Sequence, residues 1–344
     1  MVGDKVYDGG ENAIQNLPLK TNDVSNGTMI IPVPGTTDEY YLTVLREGGA
    51  SATTPMAQYY HVVVSGIGSG NTVITGPNDL QTDLTQSQTS VPKINPDGTV
   101  SDDFWWISHE MCNNNFVLYS VTNSGITPSS TESAGPNLVC DPNYPPKYET
   151  IGTTKFNGCF TNMTYVLDGK AMLFDFNPQT GEMTHLNTQE LPALKQAYSM
   201  EYSPDGKYAF VCTGQDNVHP GKIYRMDVTP TGFSAPTLLG STSGMRGGHL
   251  QLGPDGNIYY AIPQAYGNAG KGKIGRITDP NGGGVMDNDW YKATAASFGS
   301  SDEDQWVNMD LPTFMKALVV PLPKLLLDGV ESVSYTHLTL PTKA

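Results

Sequence analysis

A short strand ending in a glycine-bearing turn recurs five times along this chain at nearly constant spacing. The copies are Gln58-YYHVVVSGIGSG, Phe116-VLYSVTNSG, Ala171-MLFDFNPQTG, Lys222-IYRMDVTPTG and Lys273-IGRITDPNGG. Their turn glycines, Gly70, Gly125, Gly181, Gly232 and Gly283, lie 55, 56, 51 and 51 residues apart. The last two units also share their opening halves, Tyr198-SMEYSPDGKYAFV and Gly248-HLQLGPDGNIYYAI. A period of this length marks a repeat architecture, in which each unit buries its faces against its neighbours.

Each unit reads as strand, tight turn, strand, variable loop, strand and turn. In Met200-Glu-Tyr-Ser and Leu250-Gln-Leu-Gly every second side chain shares a face. Pro-Asp-Gly then turns the chain: Pro presets φ, Asp bonds the neighbouring backbone, and Gly accepts positive φ. Tyr208-Ala-Phe-Val and Ile258-Tyr-Tyr-Ala-Ile return as near-continuous apolar strands, as expected where both faces are covered. Units of about 50 residues with three or four strands have the size of propeller blades. A β-solenoid has shorter periods, and sandwich domains need about 100 residues each. The expected fold is therefore an all-β propeller, and dividing the length by the period predicts six to seven blades, the first of them incomplete.

Composition agrees. The 344 residues include 37 glycines and 25 prolines, and charged residues make only 15% against a usual ~25%. Such a chain is short of surface-helix formers and rich in turn formers. The 19 basic against 34 acidic residues give a net charge of −15, which repels phosphate backbones and argues against a nucleic-acid partner. No apolar run approaches the length of a membrane-spanning helix, so no membrane insertion is expected.

Several runs follow one another in a familiar order: Met29-IIPVPGTTDEYYLTVL, Asp103-FWWISHEMCNNNFVLYSVTNSGI, Ala171-MLFDFNPQTGEM, Tyr202-SPDGKYAFV, Lys222-IYRMDVTPTG, His249-LQLGPDGNIYYAI and Asp310-LPTF. Together they resemble the WD-like, YVTN-like β-propeller module of large surface proteins from gliding-type bacteria, over residues 5–314. The resemblance implies export by type IX secretion, an extracellular or cell-surface location, and PKD-type and sorting domains elsewhere in the full-length chain. The unit at Thr161-NMTYVLDG departs from the pattern by lacking SPDG.

This divides the chain into a partial first blade or strand segment (1–28), the propeller (29–314), an extension (315–332) and a tail (333–344). The tail begins VSYTHLTLPT, which resembles a translated sequencing adapter, and it is excluded from fold reasoning. The natural protein is expected to continue past Ser332 and to carry an export signal that Met1-Val-Gly-Asp-Lys-Val-Tyr-Asp does not provide.

Motifs that carry chemistry occur only as fragments. His109-Glu-Met-Cys-Asn113 begins like a zinc-protease motif but lacks the second His. Gly267-NAGKGK-Ile274 has phosphate-loop spacing, yet Ile274 replaces the hydroxyl residue that would hold magnesium. Gly240-STSG lacks the strand-to-helix elbow of a serine nucleophile. Asp287, Asp289, Asp302 and Asp304 are weak calcium candidates, without the spaced loop that calcium binding uses. Otherwise no cofactor is expected. Of Cys112, Cys140, Cys159 and Cys212, the favoured pair is Cys140 with Cys159, and Cys212 reads as a buried free thiol.

Propeller geometry puts a ligand site at the axis. The candidates there are Arg246 and His249, Ser199 one blade earlier, and the aromatic-polar group Trp105, Trp106 and His109. No catalytic constellation emerges from them. The expected function is a non-enzymatic surface module binding protein or glycan; the alternatives are a lactonase-like or polysaccharide-acting propeller enzyme and a module that only spaces other domains.

Overall fold

The structure is a computed structural model that describes residues 5–7, 13–16, 27–47, 55–65, 71–138, 152–167, 169–191, 197–213, 221–242, 248–262, 273–292, 313–314, 325–327 and 330–332. Strands β1 (Lys5–Tyr7) and β2 (Ala13–Asn16) form a separate antiparallel pair. Blade 1 follows, as β3 (Thr28–Pro32), β4 (Glu39–Glu47), β5 (Pro55–Ser65) and β6 (Asn71–Gln81). Blade 2 comprises β7 (Leu84–Ile94), β8 (Val100–Glu110), β9 (Asn115–Thr122) and β10 (Gly125–Ser133). Blade 3 comprises β11 (Gly152–Phe156), β12 (Asn162–Leu167), β13 (Lys170–Phe176) and β14 (Met183–Glu190).

Blade 4 contains β15 (Ala197–Tyr202), β16 (Tyr208–Thr213), β17 (Lys222–Thr229), β18 (Gly232–Phe233) and β19 (Thr237–Ser241). Both β18 and β19 pair with β17; Pro236 between them has no N–H to donate to the ladder. Blade 5 holds β20 (Leu250–Leu252), β21 (Ile258–Ile262), β22 (Lys273–Thr278) and β23 (Val285–Lys292). Late in the chain, β24 (Thr313–Phe314) pairs in parallel with β3 of the first blade; the rest of Asp310-LPTF lies outside the described residues. Strands β25 (Leu325–Leu327) and β26 (Val330–Ser332) pair only with each other.

The propeller thus has five blades among the described residues, which corrects the expected six to seven. The five glycine-turn units correspond to the blades one for one: the turns at Gly125, Gly181, Gly232 and Gly283 join the third strand to the fourth, and Gly70 lies outside the described residues. Division by the period overcounted because the segments flanking Thr28–Lys292 contribute only short strands among the described residues.

Period-2 alternation explains how the blades stack. Phe116 and Leu118 pack between blades 2 and 3, while Val117, Tyr119 and Val121 pack between blades 1 and 2. Ala209 and Val211 face blade 3, and Phe210 and Cys212 face blade 5. Each central strand therefore feeds two cores, which is why its sequence is continuously apolar. Burying each such side chain contributes about 1.5–3 kcal/mol. The ring of Tyr260 lies against Gly275, where an added Cβ would sit 2.2 Å from ring carbons; only glycine fits opposite that tyrosine.

The turn between first and second strands recurs in all five blades with a left-handed residue at one position. Gly35, Gly98, Gly206 and Gly256 occupy it with φ of 74°, 85°, 71° and 79°. In blade 3 the turn is Asn157-Gly-Cys-Phe160, with Phe160 at φ 61°. A non-glycine residue there costs about 1 kcal/mol. Phe160 offsets it by burying its ring in the core between blades 2 and 3.

The aspartates of these turns make stability acid-sensitive. Asp205 accepts from Ser203 Oγ and the Lys207 N–H, and Asp255 from Tyr259 Oη, Asn257 Nδ2 and the Asn257 N–H. Burial alone would raise both carboxyl pKa values, but these hydrogen bonds hold them below the ordinary value. Their stabilisation is therefore complete above the unfolded pKa of about 4 and lost as pH falls through the lower folded values. The urea midpoint should decline below about pH 4, and less steeply in an Asp205→Asn, Asp255→Asn double variant. Parallel declines in the two proteins would contradict this assignment.

Candidate functional site

Polar residues concentrate on the innermost strands. In β7, Thr85, Gln86, Ser87, Gln88, Thr89 and Ser90 are all buried, as are Thr153, Thr154 and Lys155 in β11, Ser199 and Glu201 in β15, and Gln251 in β20. An innermost strand has one edge without a ladder partner and must satisfy its N–H groups otherwise. Here neighbouring blades supply the acceptors. Met200 N–H donates to Thr153 Oγ1 at 3.2 Å, Leu250 N–H to Ser199 Oγ at 2.9 Å, and Leu252 N–H to Glu201 Oε2 at 3.2 Å. The Ser87 and Thr154 hydroxyls meet at 2.5 Å across blades 2 and 3.

At the centre of this lacing, Lys155 reaches from blade 3 to blades 4 and 5. Its Nζ lies 3.4 Å from Glu201 Oε2 and donates to Gln251 Oε1 at 2.8 Å. The Lys155 and Glu201 side chains are 8% and 1% exposed, so both charges of the pair are held out of water. Neither residue stood out in the sequence. The available signal was Glu201 inside the apolar run Met200-Glu-Tyr, with Gln251 one period later inside Leu250-Gln-Leu.

The candidates proposed from sequence scatter over the blades. Ser199 and His249 do lie at the innermost level, both fully buried, with Ser199 bonded to Leu250, the residue after His249. Arg246 lies outside the described residues. The Trp105–Trp106–His109 group is not axial, because all three sit on β8, the second strand of blade 2. Adjacent tryptophans on a strand face opposite ways: Trp105 packs between blades 2 and 3, and Trp106 between blades 1 and 2. Trp105 Nε1 donates to the Pro178 carbonyl at 2.9 Å, and Lys93 Nζ lies 4.1 Å above its ring. His109 packs edge-on to Phe116 and tilted against Tyr165, and burial pushes its pKa down to about 4, leaving it neutral at physiological pH.

Of the calcium candidates, Asp302 and Asp304 lie outside the described residues. Asp287 lies 3.7 Å from Arg276 and Asp289 2.6 Å from Lys273, each turned to a cation of its own sheet. Among the described residues, no three His, Cys, Asp or Glu side chains cluster to hold a metal, and no helix is long and apolar enough to cross a membrane. The expected Cys140–Cys159 pair is overturned. Cys159 is an exposed free thiol in the blade 3 turn, whereas Cys112 is disulfide-bonded at the turn after β8. Cys140 lies outside the described residues. Cys212 is the buried free thiol expected, and burial pushes its pKa up to about 12.

No protein-family model matches the chain, and no curated protein matches it. The fold is similar to a candidate 6-phosphogluconolactonase from Bacteroides uniformis, with 12% identity over 86% of this chain and 79% of that one and a TM-score of 0.52. A second candidate 6-phosphogluconolactonase, from Bacteroides fragilis, is 11% identical over 80% and 86% of the two chains, with a TM-score of 0.45. An exo-β-1,3-galactanase from Phanerochaete chrysosporium is 12% identical over 76% and 59%, with a TM-score of 0.43. At such identities the first of these likenesses shows the propeller fold alone.

Proposed function

We propose that this chain is the propeller of an exported or cell-surface protein, binding protein or glycan without performing chemistry. One observation carries the reading: the polar side chains of the innermost strands engage one another and the N–H groups of adjoining blades. That use of polar groups braces a rigid scaffold and leaves recognition to the blade surfaces and loops. The reading assigns no cofactor, no nucleic-acid partner and no membrane insertion. On the resemblance to surface modules of gliding-type bacteria, the full-length chain carries PKD-type and sorting domains.

A second reading, a propeller hydrolase, is favoured by the buried Lys155–Glu201 pair, since a carboxylate and an amine held out of water can serve as acid and base. The two readings separate in one assay. The purified chain is incubated with gluconolactone, a soluble β-1,3-glucan and a galactan while acid and reducing ends are measured. No release above background is expected. Turnover above background would overturn the binding reading, and its loss in a Glu201→Gln variant shown by its urea transition to be folded under the assay conditions would establish the hydrolase.

A further inference from the structure

Blade 5 carries an aromatic surface that the axial bracing does not use. Trp290, on the outermost strand β23, is 42% exposed. The Tyr259 ring lies 4.7 Å from it at an interplanar angle of 58°, and the Arg276 guanidinium sits 5.8 Å from the Trp290 ring centroid. Three strands of one sheet thus fix the group: Tyr259 on β21, Arg276 on β22 and Trp290 on β23.

Hydrogen bonds hold its polar rim in place. Tyr259 Oη and Asn257 Nδ2 both donate to Asp255 Oδ2 at 2.7 Å, and Arg276 pairs with Asp287 at 3.7 Å. Asp255 is exposed and Asn257 half-buried, so the Pro-Asp-Gly turn delivers a carboxylate and a carboxamide beside the rings.

We infer that this surface binds a neutral glycan, the rings of Trp290 and Tyr259 taking the C–H face of a pyranose and Asp255, Asn257 and Arg276 taking its hydroxyls. This inference rests on the binding-module reading above and names its site. An exposed aromatic face is negatively polarised and attracts the positively polarised C–H groups of a sugar ring. A carboxylate accepts from vicinal hydroxyls and a guanidinium donates to them in a fixed fork. The charges decide the class of glycan. Arg276 is matched by Asp287, Asp255 adds a negative charge, and the chain as a whole carries −15, so sulfated or uronic polymers are repelled. A proline-rich peptide docks along an aromatic-lined groove, whereas here two rings meet at 58° among charged and hydrogen-bonding side chains.

The test is affinity gel electrophoresis of the full chain with a soluble β-1,3-glucan, a galactan and an α-mannan, against alginate and a proline-rich peptide. At least one neutral polysaccharide should retard the protein. Trp290→Ala should weaken that retardation about tenfold with the urea midpoint unchanged, and Arg276→Met should weaken it less. Retardation equal in wild type and Trp290→Ala would refute this site while leaving the binding module standing. Retardation by none of the neutral polymers, or tighter binding of alginate or the peptide, would overturn the neutral-glycan assignment.

Discussion

Glu201→Ala should lower the free energy of unfolding by about 3–5 kcal/mol, the cost of stranding a buried charge. The carboxylate holds Lys155 and also accepts from the N–H groups of Leu252 and Tyr202. Removing it leaves an ammonium inside the propeller and two N–H groups without that acceptor. Glu201→Gln separates the effects, because its amide oxygen can still accept while the charge is gone; it should remain destabilising. Lys155→Met combined with Glu201→Gln removes both charges and should recover most of the loss, since the attraction of a buried pair barely exceeds its desolvation cost. Urea unfolding of wild type, Lys155→Met, Glu201→Gln and the double variant forms a double-mutant cycle. A cost below about 1 kcal/mol for Glu201→Gln, the range of an exposed pair, would mean that water reaches Lys155.

The same region shows where a sequence reading runs short. The hairpin turns were legible because a positive φ selects glycine, and Gly125, Gly181, Gly232 and Gly283 each close a third strand onto a fourth. Together with the glycine unit at Gln58, those turns count five units, the true blade number; the length of the chain does not give it. The third Pro-Asp-Gly turn, at Pro96-Asp-Gly98, lies in the blade 2 position equivalent to those at Asp205 and Asp255 and carries the same signal. The innermost strands were hard to see for a physical reason. Thr85 to Ser90 lack the apolar alternation that marks a strand, yet they are buried, with Thr85, Ser87 and Gln88 bonding across blades rather than to water. Apolar period is a signal of packing alone, and these strands are held by polar bracing. The blade 5 aromatic group was equally hidden, since Tyr259 and Trp290 are 31 residues apart and meet only through strand register.

Trp106→Ala should be comparably severe, at about 3–5 kcal/mol, and its consequences should fall on one side of blade 2. Trp106 is fully buried between blades 1 and 2, edge-on to Tyr119 at 5.2 Å. Its Nε1 donates at 2.9 Å to Gln88 Oε1, which also accepts from Thr43 Oγ1 of blade 1 at 2.7 Å. Deleting the indole opens a cavity among Met29, Ile31 and Val117 and takes one donor from a buried amide. Trp106→Phe retains the ring contact and should cost less. Trp105→Ala supplies the internal control, because its ring lies on the other face, between blades 2 and 3. Hydrogen exchange should therefore accelerate in β3–β5 for Trp106→Ala and in β12–β13 for Trp105→Ala. If the tryptophans instead formed one ligand site, both substitutions would abolish binding with little change in the unfolding midpoint. That outcome, or identical exchange patterns in the two variants, would contradict their assignment to separate inter-blade cores.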